Sequence, residues 1–388
     1  MNIGQYRKYC EENFEVNSWR GKIHDKRKRP HITPLQVFES ISQMPVFAQK
    51  SLLTLDSFLR LPSARKLHGS GREMVASDSS VARITKGMSQ ASVQEIGYEV
   101  IDKGDERELL DIKLPSGRKL RMGIVDGHHA GNVWASVFAV SGKSDGVVDL
   151  ERYPGLGHEL GASRTVMKRV FDNLGNGYFE IVATDGLYAS REDFQLYLDH
   201  GSHLLVKTDE ETLTVIQDAR YLFDAPNAKS MEGIGWSEGL DDERAIEYEV
   251  MWVEGLEWQG LKLTVARVKE HHLKPRKDRP ENTVFWVLTT ATKLTGEDLR
   301  ELAHRWWRIE NNIFKRLNFL VKSKKHWNRD PSVTELYLRM WMIGLTLLGA
   351  YLVERGWKSF REYWGVVKQT WEAVAERMQR SLVSLYSD

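Results

Sequence analysis

The 388-residue chain is 41% hydrophobic and 28% charged, which supports a sizeable core and excludes wholesale disorder. A net charge of +1 excludes a polycation, and the lone cysteine, Cys10, excludes a disulfide framework and a cysteine-based zinc site. At ~100–200 residues per domain, two or three structural units are expected.

Residues 1–75 are expected to form a basic, helical region centred on Lys26, Arg27, Lys28 and Arg29. Thr33-Pro34 followed by Leu35, Phe38 and Ile41 has the form of a capped helix start. A second helix begins near Ser51 on Leu52, Leu55 and Leu59, and Ser77 caps a third through Val81 and Ile84. Pro30 and the stretch from Leu67 to Gly71 read as breaks.

Leu109 to Lys113 and Lys119 to Asp126 then read as strands joined by a turn at Pro115-Ser116-Gly117, with Asp126 at a strand end. Val133 to Val140 is the next strand, and Arg164 to Leu174 a helix. Phe179 to Thr184 is a short apolar strand that delivers Asp185 at its carboxyl end. Gly186 permits a turn, Ser190 caps a helix from Arg191 to His200, and a further short strand lies at Leu204 to Val206. Residues 208–282 are rich in turns and alternating strands, such as Glu247 to Val253 and Leu261 to Val268, and read as a β-rich insertion; His271 to Pro280 reads as a basic loop. Thr283 to Thr290 returns as a strand, and Gly296 to Leu317 reads as one long helix carrying Glu310. Helices are expected at Leu336 to Leu352 and Ser359 to Leu385. The uncharged apolar run Met340 to Val353 is shorter than the ~20 residues a membrane span requires and reads as a buried helix. The polar N-terminus without an apolar signal core, and the single cysteine, lead to the expectation of a cytoplasmic protein with no membrane partner.

Glu310 is the lone acid among Arg305, Arg308, Lys315, Arg316, Lys322, Lys324, Lys325 and Arg329. Such a carboxylate is either paired structurally or intended for a cation and a polyanion together. A mixed β/α core would present Asp126 and Asp185 at strand ends, with Glu310 supplied by a helix after a return strand, and open sheets place their sites at that carboxyl edge. Close carboxylates repel unless cations join them. Two Mg²⁺ ions, with Mn²⁺ as a substitute, would take these oxygen ligands and serve an in-line phosphodiester displacement. Taken singly, each aspartate has an ordinary reading as a turn or cap residue. Trp306 and Trp307 suit stacking on an unpaired base or packing into the core.

Three blocks carry a resemblance. Ile124-Val125-Asp126-Gly127-His128, Ile181-Val182-Ala183-Thr184-Asp185-Gly186-Leu187-Tyr188-Ala189 and Trp307-Arg308-Ile309-Glu310-Asn311 occur in the order and spacing of the DDE transposases of bacterial insertion sequences. The chain resembles their insertion sequence four type over roughly residues 75 to 350. The resemblance implies an α/β (α+β) fold: an RNase H-like mixed-sheet core with a β-rich insertion, an N-terminal helical DNA-binding region and C-terminal helices. It divides the chain into residues 1–75 for DNA binding, 76–207 and 283–330 for the core, 208–282 for the insertion and 331–388 for the C-terminal helices. It implies Asp126, Asp185 and Glu310 as catalytic and metal-binding residues. It also implies double-stranded DNA (terminal inverted repeats and target) as the partner, a homodimer in the synaptic complex and a nucleoid-associated setting.

Arg305, Arg308, Lys315, Arg316, Lys207 and Lys322 are the phosphate candidates, with Lys26, Arg27, Lys28 and Arg29 as a second basic face and Trp306 and Trp307 as stacking candidates. The pattern departs from the common family motif, which has Tyr, Arg and Lys where this chain has Ala303, Trp306 and Leu317. A related subgroup with His-Trp-x-Ile-Glu-Asn is closer. Two other classes remain open on the sequence: a catalytically inactive, domesticated DNA-binding descendant, and a structure-specific nuclease on the same fold.

Overall fold

The computed structural model describes residues 3–27, 30–46, 49–60, 76–275 and 280–355. The expected features at Lys28-Arg29, Leu67 to Gly71 and Ser359 to Leu385 lie outside them. The chain begins with helices α1 (Ile3–Phe14), α2 (Pro34–Ser42), α3 (Leu52–Leu59), α4 (Asp78–Gly87) and α5 (Gln90–Glu106). Strands β1 (Asp111–Lys113), β2 (Lys119–Ala130), β3 (Val133–Ser141) and β4 (Gly146–Tyr153) follow, then α6 (Glu159–Leu174), β5 (Ile181–Asp185), α7 (Arg191–Asp199), β6 (His203–Thr208) and α8 (Thr214–Phe223). The remainder is β7 (Ile234–Asp241), β8 (Ile246–Trp258), β9 (Leu261–His272), β10 (Asn282–Thr289), α9 (Gly296–Trp306), a π-turn (Ile309–Phe314), α10 (Lys315–Val321) and α11 (Pro331–Glu354). The chain is thus a mixed α/β protein with parallel and antiparallel pairing. Its contacts divide into a sheet unit (Asp111–Asp126 and Leu174–Arg308) and a helical unit (Met1–Leu110, Gly127–Asn173 and Ile309–Asp388).

In the sheet unit the strands run β2-β5-β6-β10-β9-β8-β7, with β1 on the outer side of β2. β2, β5 and β6 are mutually parallel, and from β10 onward the pairing is antiparallel. The parallel strands are apolar almost throughout, because a strand buried on both faces has no polar side: Ile181 to Thr184 and Leu204 to Val206 are all buried. The β1–β2 turn closes as Gly117 donates its N–H to the Leu114 carbonyl at 2.9 Å, with Gly117 at φ 90°, a left-handed value that glycine adopts without strain. β2 runs on past Asp126 to Ala130, so Asp126 lies inside the strand and not at its end as expected. Its neighbour β5 is the strand that stops, at Asp185. Residues 208–282 hold β7 to β9 and also α8, a helix the turn-rich composition concealed; His271 and His272 belong to β9.

The helical unit is organised by α11. Its 18-residue apolar window is 94% buried, and it packs on α2, α5, α4 and β4, as a core helix would. α2 begins with a capping box in which Thr33 and Gln36 exchange side-chain and backbone bonds. Gly344 of α11 lies so close to α2 that a Cβ there would run into the Ser42 carbonyl. A buried polar cluster ties four elements. Asp149 of β4 accepts from Tyr98 Oη (2.8 Å), Gln94 Nε2, Arg169 Nε and Arg339 Nη1 (2.6 Å each), while Arg339 also bonds Glu335 and the Leu150 carbonyl. Burial pushes the Asp149 carboxyl up, but the two guanidinium groups outweigh it and hold it below the usual aspartate range.

Candidate active site

Asp126 and Asp185 occupy neighbouring parallel strands. The register pairs Met122 with Ile181 and Ile124 with Ala183. The β2–β5 ladder ends at that pair, and Asp126 and Asp185 each lie two residues beyond it on their own strands. Side chains alternate along a strand, so residues two positions beyond a pair keep the face of that pair, which assigns both aspartates to the Ile124–Ala183 face at the carboxyl end of β5. Asp185 Oδ1 accepts the Leu187 N–H at 3.0 Å, which fixes the carboxylate over the short 3₁₀ turn Gly186–Tyr188. Burial nevertheless pushes the Asp185 carboxyl above its ordinary range, the Leu187 bond acting in the opposite direction. Gly186 is required by proximity, since a Cβ would come 2.7 Å from Thr208 Oγ1.

The next residue in the row is Lys207, paired in register with Asp185. Its ammonium lies 4.3 Å from the ring centres of both Phe285 and Trp307 and 5.9 Å from that of Trp306. Trp307 is 38% exposed, whereas the Trp306 indole nitrogen is buried without a hydrogen-bond partner. Both tryptophans therefore stand at the carboxyl end of α9 beside the aspartate row, with Trp307 the more accessible for stacking. The two aspartates supply an oxygen-only donor set, which suits a hard cation such as Mg²⁺. Among the described residues no group of three or more His, Cys, Asp or Glu side chains is gathered as a metal cage.

Glu310 belongs to the helical unit. The helix expected from Gly296 to Leu317 is not continuous: α9 ends at Trp306, Ile309–Phe314 forms a π-turn, and α10 begins at Lys315. Asn311 and Asn312 are weak helix formers at the centre of this turn. Ile309, Ile313 and Phe314 point inward, while Glu310 and Asn311 are exposed. The turn is held in place as Asn312 donates to Asp145 at 2.6 Å and Phe314 stacks on His128 at 4.2 Å. π-turns concentrate at functional sites because the extra residue re-aims a side chain. Lys315 approaches Glu310 to 3.4 Å and donates to Asn311 at 2.7 Å, and Arg316 donates to Asn312 at 3.0 Å.

The remaining basic candidates sit in different settings. Arg305 is held by Glu301 at 2.9 Å and is mostly buried. Arg308 is half-buried, Lys322 is exposed, and Lys26 and Arg27 are exposed, with Arg27 bonded to Asp25 and to the Ile32 carbonyl. Ala303 and Leu317, where the common family motif has Tyr and Lys, are fully buried core residues. His304 belongs to a buried cluster: Glu270 accepts from both His304 Nε2 and Arg300 Nε at 2.6 Å, and Arg300 also bonds Asp241 at 3.0 Å. Burial outweighs Glu270 at His304 and lowers its pKa, and Arg300 is the second cationic partner of Glu270.

Two features of the helical unit stand outside the candidate set. His128 is buried, with its pKa pushed down to about 3 by burial and by Lys324, and its Nε2 is without a partner. Glu159 packs its carboxylate against the bare Cα of Gly127 and accepts from Tyr153 Oη at 3.2 Å, a contact that Gly127 permits and that no spacing in the sequence announces. Cys10 is buried, and that burial pushes its thiol up to about 12. Compared with known families and curated proteins, the chain matches no family model and no curated protein.

Proposed function

We propose that this chain is a DNA transposase that cuts and joins phosphodiester bonds at the ends of a mobile element with Asp126, Asp185 and Glu310. The observation that carries the reading is the position of Asp126 and Asp185, each two residues beyond the Ile124–Ala183 pair of adjacent parallel strands, with Lys207 paired to Asp185. An aspartate held partly out of water and pushed toward its neutral form gains most from a nearby cation. Asp126 and Asp185, with Glu310 as the third carboxylate, are the residues that would hold Mg²⁺. The chemistry that bound Mg²⁺ supplies is activation of the attacking water or 3′-hydroxyl and relief of charge on the leaving oxygen.

The chain's own residues do the rest. The Leu187 amide and the 3₁₀ turn orient Asp185, and the aromatic wall of Phe285 and Trp307 keeps the Lys207 ammonium close to the aspartate row, where an anionic phosphate would meet it. Lys315 and Arg316 flank Glu310 on the following helical turn. Recognition of terminal repeats by the N-terminal helices, pairing of two subunits on paired ends and a cytoplasmic, nucleoid-associated setting belong to the same proposal.

The test is Mg²⁺-dependent nicking of a duplex carrying the inverted repeats that flank the gene, by wild type and Asp185→Asn. Loss of nicking in the variant at unchanged DNA binding supports the assignment; equal cleavage by both removes Asp185 from the site. Cutting of branched DNA without repeats would identify a structure-specific nuclease, and binding with no Mg²⁺- or Mn²⁺-dependent cleavage an inactive descendant.

A further inference from the structure

The loop between α10 and α11 carries Lys322, Lys324, Lys325, His326 and Arg329, all exposed, in a stretch with no acid before Asp330. Among the described residues Lys322, Lys324 and Arg329 take no ion pair, while Lys325 lies 5.9 Å from the Trp327 ring centre. Asp330 itself is engaged by Lys86 at 3.1 Å and caps α11 through Ser332.

A run of surface lysines is usually a solvated strand of chain with a mobile backbone. This backbone is tied at several points. Lys322 closes α10 in a left-handed conformation, with φ 52°. Its carbonyl accepts the Lys325 N–H at 2.8 Å and the Trp327 indole N–H at 3.2 Å. Trp327 packs edge-on against the buried Trp341 of α11 at 4.9 Å, and Ser323 is fully buried. The tip of the β2–β3 hairpin completes the clamp: Asn132 Nδ2 donates to the Asn328 carbonyl at 3.1 Å and to the Arg329 carbonyl at 3.3 Å. The backbone at Gly131 comes so close that a Cβ there would lie 2.5 Å from the Lys325 carbonyl oxygen.

Unpaired cations on a backbone fixed by an amide clamp and a tryptophan anchor are arranged before any anion arrives, so binding does not have to order them. We propose that this loop is a preformed phosphate-contact surface for duplex DNA, recognising the backbone without reading sequence. The proposal rests on the transposase reading for the choice of DNA and adds to it a contact surface outside the carboxylate site. Sequence-independent contacts of this kind position a duplex and leave specification to other residues.

The experiment measures binding of a random-sequence duplex by fluorescence anisotropy across a salt series. Each phosphate contact contributes about 0.9 to the slope of log K against log salt, so Lys322→Gln, Lys324→Gln and Lys325→Gln combined should lower its magnitude by about 2.7. Asn132→Ala removes no charge. It should weaken binding about 3- to 10-fold at every salt concentration with the slope unchanged, a signature that a loose cloud of lysines would not produce. Thermal melts establish that each variant is folded. An unchanged slope in the lysine variant, unchanged affinity in Asn132→Ala, absence of duplex binding by wild type or a clear preference for duplex RNA each overturns the proposal. Nicking activity separates the two readings. Loss of slope in a protein that never nicks DNA retains the loop and removes the transposase; nicking with an unchanged slope does the reverse.

Discussion

Arg339→Met is the sharpest test of how the helical unit is held together. Arg339 is 5% exposed and its guanidinium serves three acceptors: Asp149 Oδ1 and the Leu150 carbonyl at 2.6 Å each, and Glu335 Oε1 at 3.1 Å. Methionine preserves the apolar stem and removes the charge. Asp149 keeps Arg169, Gln94 and Tyr98, whereas Glu335 keeps Gln90 and the half-exposed Arg152 at 3.3 Å. Breaking a buried pair costs ~3–5 kcal/mol when the other charge is left alone; with Arg169 still on Asp149 and Arg152 on Glu335, the loss falls at the lower end, about 3 kcal/mol. With an m-value of ~3 kcal/mol/M in urea, the midpoint should fall by about 1 M. The same substitution at the exposed Arg118, 3.2 Å from Glu180, should cost at most ~1 kcal/mol.

The effect has a pH signature. Asp149 is depressed in the folded state, so its contribution is complete above the unfolded value of ~3.9 and is lost as pH falls through the lower folded value. The gap between wild type and Arg339→Met should therefore narrow in acid. A midpoint shift no larger than that of Arg118→Met, or a gap that widens below about pH 4, would refute the reasoning.

Further consequences can be checked by melting and titration. Asp185 has a raised folded pKa, so its ionised form weakens the fold above that value. Asp185→Asn should raise the Tm at pH 7, and the gain should disappear once both states are protonated in acid. Mg²⁺ at about 100 times its Kd should stabilise wild type by about 2.7 kcal/mol and have less effect on Asp185→Asn. Gly344→Ala should force α2 and α11 apart and cost about 3 kcal/mol, read from urea midpoints. Glu270→Leu leaves Arg300 buried beside Asp241 alone and should cost ~3–5 kcal/mol. Wild-type stability from Glu270, whose pKa is held near about 2 against burial by His304 and Arg300, should be present above ~4.3 and lost as pH falls toward the folded value.

The elements most legible in the sequence were those with local chemistry. Thr33 and Ser77 capped the helices they announced, and Pro115-Ser116-Gly117 closed the β1–β2 hairpin. The apolar run before Asp185 became a fully buried parallel strand, because a strand covered on both faces needs no alternation. α5 and α8 were missed for the converse reason. α5 is interrupted by Gly97 and Gly104 and α8 lies in a turn-rich stretch, so packing against β4 and β8 decides what propensity leaves open. Strand β4, with Asp149 at its centre, escaped notice because a buried aspartate reads as surface until Arg169 and Arg339 are seen beside it.

At the candidate site the same division holds, and the residue spacing around Glu310 shows it. Residue spacing along a helix translates into a common face only while the period stays near ~3.6. In this chain the period changes at Glu310 itself, where the π-turn Ile309–Phe314 inserts additional backbone between α9 and α10. A fixed offset from Glu310 therefore lands in the core: Leu317 is fully buried, while Lys315 is exposed and faces Glu310. Upstream, Ala303 is buried and Arg305 is tied to Glu301, so the accessible cation beside the aspartates comes from a different element, Lys207 on β6. The sequence named Lys207 as a phosphate candidate but did not show what it pairs with. Strand register supplies that, because Lys207 follows Asp185 by one parallel crossover and lands opposite it, and the pairing depends on how β5 and β6 align in space.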